Sequence, residues 1–301
     1  MTADLDETAD RIALLSTWLA PRLTTEQMAW LEDQVTRIRN ATGGPALPMA
    51  IGLAPRRLGK ADLTLDEREM QAAAARRPGL DPTGWSADQT ARILFVLASF
   101  DGDKDAFAEK LRRLLAQGEV SEHIALLRGL PLYPSAARLV PIATEGLRSN
   151  VQPVFEAVAH ASPFPRETFS KDQWNQMVLK ALFVGSRLAP IQGLDERRNP
   201  ELAEMLIDYA HERWRRDAMC RRNSGAASAP LRGAGSGRLG QSAERRQRGR
   251  ENGGRPRPLA ERSACGPGCF ERRAGSCRRD RRRPSRLAGT RSLRRFFEGE
   301  E

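Results

Sequence analysis

The sequence predicts an all-α protein: an irregular helical stack, α-solenoid-like with HEAT-like antiparallel helix pairs, carrying a disordered Arg-rich C-terminal tail. Three observations predict it. Apolar residues recur at three- and four-residue spacing through residues 5–214, with no strand-like alternation. Helix start signals recur at short intervals, each followed by Pro or Gly stops. After Trp214 the apolar periodicity ceases: residues 215–301 contain 24 Arg but no Lys, Ile, Val, Tyr, His or Trp.

Residues 5–19 place Leu5, Ile12, Leu15 and Leu19 on one stripe, and Pro21 ends it. Thr24 with Gln27 predicts a capping box, opening a helix whose buried face is Met28, Leu31, Val35 and Ile38. Pro and Gly punctuate residues 45–64, so only a short helix near Met49 is expected there. Thr64 and Asp66 cap a helix through Met70 and the Ala72–Ala75 run. Ser86 with Gln89 predicts a second capping box. The helix it opens is apolar all round from Ile93 to Leu97, as a central helix must be.

Phe107, Leu111 and Leu114 share a face over residues 104–117. Ser121 is expected to cap a helix to about Leu130, and residues 135–148 read as helical around Pro141. Pro153 sits in the first turn of a helix to His160; Pro163 and Pro165 separate it from another at 170–184. Asn199-Pro200 opens the last one, with Leu202, Met205, Leu206 and Tyr209 as its stripe. The chain thus reads as an N-terminal helical region (1–118) continuous with a solenoid-like region (119–214), then the tail (215–301).

Charge divides at the same place. The tail holds 24 of the 49 basic and 9 of the 38 acidic residues, leaving residues 1–214 with a net charge of −4. The isoelectric point of about 10.4 therefore belongs to the tail. An acidic body has no general attraction for phosphate, so nucleic-acid binding is a reading only the Arg-rich tail could support. All four cysteines (Cys220, Cys265, Cys269, Cys277) lie in the tail. Their spacing lacks the paired short intervals and fourth ligand of a zinc site, so no metal and no cofactor are expected. The acidic N-terminus does not resemble a signal peptide, and no apolar run reaches the roughly 18 residues of a membrane span. A cytoplasmic location without membrane insertion is expected.

Asp101-Gly-Asp103-Lys-Asp105 begins like a calcium loop, but Ala106 and Arg112 stand where Gly and Glu are needed. The simpler reading is that Asp103 or Asp105 caps the next helix. His123 reads as a surface or capping residue, while His160 and His211 are each expected to end a helix in the densest polar region. That region supplies the candidate ligand-binding residues: Arg148, Asn150, Asn175, Lys180, Arg197, Asn199, Asp208, His211, Glu212 and Arg213. Polar groups among Leu, Met and Phe must either find partners or line a cavity. Interhelical capping and a pocket for a polar small molecule are the two readings. No nucleophile, base and orienting group assemble into a catalytic set.

Trp174-Asn-Gln-Met-Val-Leu-Lys-Ala-Leu-Phe183 and Asn199-Pro-Glu-Leu through Asp208-Tyr-Ala-His-Glu-Arg-Trp214 resemble the EboA family of bacterial metabolite-traffic proteins. Leu126-Leu-Arg-Gly-Leu-Pro131 and Arg148-Ser-Asn150 with Val154-Phe-Glu-Ala157 are similar too. The resemblance covers most of residues 5–214. It implies a non-catalytic scaffold or carrier in secondary-metabolite precursor traffic toward the periplasm. The partners it implies are a prenyltransferase-like, a sugar-phosphate-cyclase-like and TIM-barrel proteins of the same pathway. It carries no catalytic residue, and an enzyme acting on a polar small molecule at 148–213 is the alternative. Beyond the tryptophan the family pattern runs roughly Pro-Glu-Leu-Trp-Arg-Cys-Val-Gly-Pro-Phe. Codons for Arg222 through Leu231, read in the frame that joins the last base of each preceding codon to the first two bases of the next, permit that series. The tail is therefore expected to be an out-of-frame translation, which the coding DNA itself decides.

Overall fold

The computed structural model describes residues 2–41 and 44–227, with side chains placed through Arg215. The described chain is all-α. Its one extended pairing is an isolated bridge between Asp62 and Ser86. Residues Met1–His211 belong to one compact unit, and a second begins at Glu212. The expected disorder of the tail, its Arg runs and Cys265, Cys269 and Cys277 lie outside the described residues.

Helices α1 (Thr2–Leu19), α2 (Thr25–Asn40), α3 (Ala46–Leu58) and α4 (Glu67–Arg76) precede the central helix α5 (Ala87–Ala98). The capping signals act as their chemistry requires. Thr24 accepts from the Gln27 amide while Gln27 returns the bond to Thr24, and Asp66 and Glu69 do the same at α4. Every residue of α5 from Ala87 to Ala98 is buried except the half-buried Gln89. It is enclosed by α1, α2, α3 and α7 (Val120–Arg128). Trp30 meets Phe95 edge-on at 5.9 Å, and Trp18 meets Trp85 at 6.3 Å. Each fully buried Leu, Ile or Phe here contributes roughly 1.5–3 kcal/mol.

Helices α6 (Lys104–Gln117) and α8 (Ala136–Arg148) pack on one another, and α9 (Gln152–Ala159) packs on α7 and α8. The short α10 (Phe164–Thr168) lies on α8 and α9. Asp103 caps α6, accepting from the amides of Asp105 and Ala106. His123 Nε2 bonds the Leu115 carbonyl near the end of α6 at 2.7 Å. Arg11 and Arg77 hold the 131–132 turn by its carbonyls, at 2.6 and 2.8 Å. Helices α11 (Lys171–Val184) and α12 (Pro200–Ala227) complete the order.

Several elements depart from expectation. The short helix near Met49 is instead the whole of α3, which tolerates Pro55 near its end. Pro55 has no N–H, so the Ile51 carbonyl one turn back loses its helical donor. The Arg92 side chain supplies one, Nε to O at 3.0 Å. Ser86 does not form its capping box. Its hydroxyl bonds Asp88 at 2.6 Å, while Gln89 accepts from Arg128 at 2.6 Å. Ser121 is not the cap of α7 either. Glu119 is, its amide bonding Glu122, and the Ser121 carbonyl accepts from Arg92. The segment between Pro163 and Phe169 contains α10, and α12 continues past Trp214 to Ala227. Arg, Ala and Met over 215–220 favour that continuation.

Arg92 is therefore the polar centre of the body. It is 2% exposed, reaches Asp88 at 3.4 Å and Glu122 at 3.9 Å, and ties α3, α5 and α7 together. Arg92→Met leaves Asp88 buried without its counter-charge and the Ile51 carbonyl without a donor. The expected loss is about 3–5 kcal/mol by denaturant unfolding. Adding Asp88→Leu should restore part of it, and a single variant as stable as the parent would contradict this role.

Candidate functional site

Helix α11 begins at Ser170, whose hydroxyl and Gln173 form a capping box. Its buried face is Trp174, Asn175, Met177, Val178 and Ala181. Asn175 is 3% exposed on that face and must be satisfied there. It exchanges amide hydrogen bonds with Asn199, at 3.1 and 2.9 Å. The same Asn199 oxygen caps α12 by accepting from the Leu202 amide at 2.9 Å. One reciprocal amide pair thus fixes the start of α12 against the middle of α11.

Arg197 completes this knot. Its guanidinium donates to the carbonyls of Pro165, Arg166 and Phe169 at 3.0, 3.2 and 2.7 Å. It also lies over the Trp174 ring at 4.7 Å. The Pro165 carbonyl also accepts from the Phe169 amide at 3.2 Å, but the last carbonyls of so short a helix run out of helical donors, and a planar cation with five N–H groups supplies several at once. Burial lowers the Arg197 pKa, and the group stays a cation.

The other predicted residues do not join this cluster. Lys180 donates to the Ser149 carbonyl at 3.0 Å, closing α8, and burial lowers its pKa. Arg148 lies exposed against Glu145 at 3.0 Å, and Asn150 is exposed beside it. Asp208 is exposed on α12. His211 is half-buried and does not end a helix, because α12 runs on to Ala227. Glu212 and Arg213 are exposed and belong to the second unit.

A third polar group was not among the predicted site residues as a set. Ser186 is buried, and its hydroxyl donates to Glu156 at 2.7 Å and lies 3.0 Å from His160 Nε2. His160 Nε2 is also 2.9 Å from the Arg187 carbonyl. A carbonyl only accepts, so Nε2 carries the proton and cannot take one from Ser186. The hydroxyl proton points to the carboxylate, and the relay order of a hydrolytic triad is absent from this trio. The trio locks the end of α9 to the chain leaving α11. Its sequence signal was Glu156 and His160 at helical spacing in the otherwise apolar Val154–Ala159.

Two concavities open beside these elements. One, of about 430 Å³, lies between α6 and α8 and is lined by Asp105, Glu109, Arg112 and Arg138. The other, of about 440 Å³, is lined by Leu188, Ile191, Leu194, Asp195 and Glu196. None of the ten predicted residues lines either. Among the described residues no group of His, Cys, Asp and Glu could hold a metal, and no helix is long and apolar enough to cross a membrane.

The family described as "Metabolite traffic protein EboA" matches residues 11–223. The chain belongs to the EboA family. No curated protein and no solved structure matches it. Within EboA, the segments that carried the resemblance are those that build the junctions above. Trp174, Asn175 and Asn199 make the α11–α12 knot, and Ser149 receives Lys180. In this EboA chain those residues therefore have a physical role in holding helices together.

His160 gives these junctions a pH dependence. Burial lowers its pKa, against the opposing influence of Glu156 and the Arg187 carbonyl. In the window just below the ordinary value of 6.5 the unfolded chain binds a proton that the folded chain refuses. Stability is thus fully present above that value and falls as the pH drops through it. The Glu156 pKa is also lowered: burial opposes this, and the bonds from Gln152 and Ser186 with the charges of His160 and Arg187 outweigh it. It adds a second loss below about 4.5. His160→Gln, which retains a donor for Arg187, should give a shallower stability slope just below pH 6.5. A slope identical to the parent's contradicts a neutral, half-buried His160.

Proposed function

We propose that this EboA-family chain is a non-catalytic scaffold or carrier, serving the traffic of a secondary-metabolite precursor toward the periplasm together with other proteins of its pathway. Family membership supports the metabolite-traffic role. The observation that favours a carrier over an enzyme is how the polar side chains of 148–199 are used. The donors of Arg197, Lys180 and the Asn175–Asn199 pair go to backbone carbonyls or to each other. Groups committed in this way build surfaces and junctions and do not present a reacting atom to a substrate. We read the Arg-rich segment 215–301 as out of frame and its basic charge as foreign to the function; the match leaves residues 224–301 of it uncovered.

Co-expression of the full chain with the products of its neighbouring genes should recover a complex in which precursor is bound and released unchanged. Lys180→Ala and His211→Ala should leave precursor handling intact once their stability is allowed for. Turnover of the precursor by the isolated chain, abolished by either substitution in a folded protein, would establish the enzyme reading instead.

A further inference from the structure

The segment between α11 and α12 is a strap of defined shape. Gly185 ends α11 in the left-handed conformation, φ +76°, which lets the chain reverse at once. The strap is then fastened along its length. Ser186 bonds Glu156, the Arg187 carbonyl meets His160, and the Pro190 carbonyl accepts from the Ala161 amide at 2.9 Å. Gln192 donates to the Gly79 carbonyl at 2.8 Å. Gly193, at φ +85°, passes so close to Arg166 that a Cβ there would meet its side chain at 2.6 Å. Arg197 and Asn199 fix the far end. Ala161, at φ +51°, is held in a conformation an alanine rarely adopts, and such positions persist only where their surroundings enforce them.

What these fastenings leave open is the concavity of about 440 Å³, within the size range of small-molecule sites. Its walls are of two kinds. Leu188, Ile191 and Leu194 make one side apolar, and Leu188 and Leu194 are only partly buried, so apolar surface faces the opening. Asp195 and Glu196 make the other side anionic. Their carboxylates meet guanidinium groups of Arg198 and Arg166 at 3.9 Å, beyond hydrogen-bond length. The groove between α6 and α8 differs on this point, since Asp105 and Arg138 there pair at 3.2 Å.

We propose that the strap pocket is the ligand site of this carrier, and that it takes an amphiphilic amine. The apolar body of the ligand lies on Leu188, Ile191 and Leu194, and its ammonium group lies between Asp195 and Glu196. The proposal rests on the carrier reading. Because the wall is pinned before any ligand arrives, binding orders little chain, and the ligand's charge sets selectivity.

The test uses the full chain with naphthylethylamine and naphthylacetate, which share an apolar body and carry opposite charge, followed by naphthalene fluorescence and calorimetry. The amine should bind saturably at one site, at least about fivefold more tightly than the acetate, and more weakly as salt rises. Asp195→Asn with Glu196→Gln should reduce amine affinity about fivefold, the scale of two exposed ion pairs, without changing the melting temperature. Leu194→Gln should weaken both probes. Equal affinity for the two probes, an unaffected double variant, or no saturation with the amine would overturn the pocket. Turnover of the precursor would overturn the carrier reading and leave amine affinity as measured, so the two failures are distinguishable.

Discussion

A fully buried helix can carry a charge only if its neighbours bring partners to it. Helix α5 carries two, Asp88 and Arg92, at 4% and 2% exposure. Arg92 meets Asp88 on its own helix, the Ile51 carbonyl of α3, and the Ser121 carbonyl and Glu122 of α7. The requirement to satisfy one guanidinium therefore ties two of the helices around α5, α3 and α7, to it in a defined register. It also explains why α3 survives Pro55: the carbonyl the proline orphans is the one Arg92 needs. The apolar contacts of α5 supply most of the stabilisation, and this polar set selects the arrangement in which they occur.

The same logic recurs further along the chain. Arg11 and Arg77 reach the carbonyls of Leu132 and Pro131, Lys180 that of Ser149, and Arg197 those of Pro165, Arg166 and Phe169. Short helices interrupted by proline expose many terminal carbonyls, and long cationic side chains from distant helices close them. In this body polarity in the interior is a consequence of short helices. A ligand site accordingly has to be sought where polar groups remain outside these junctions, at the edge of the strap.

Much of this was legible in the sequence. The start of α2 follows from Thr24–Gln27 and that of α4 from Asp66, because capping is local. The centrality of α5 follows from the all-round apolar Ile93–Leu97. Long-range partners were not legible. The rescue of Pro55 by Arg92 and the diversion of Ser86 to Asp88 depend on which helices become neighbours. Lys180 and Arg197 find their partners in backbone carbonyls some 30 residues away, invisible to any side-chain pattern. Ser186 and Glu156 lie 30 residues apart and belong to no motif.

Family membership places the chain in metabolite traffic, and the geometry accounts for its polar residues as fasteners that hold the 186–199 strap to α9, α10 and α11. Native-state hydrogen exchange on the full chain tests that most directly. The amides of Ala161, Ile191 and Arg197 bond the carbonyls of Pro190, Leu188 and Gly193. If the strap is part of the rigid body, they should exchange only in openings shared with α9–α11. Rapid exchange of these three amides, while α9–α11 remain protected, would contradict the account.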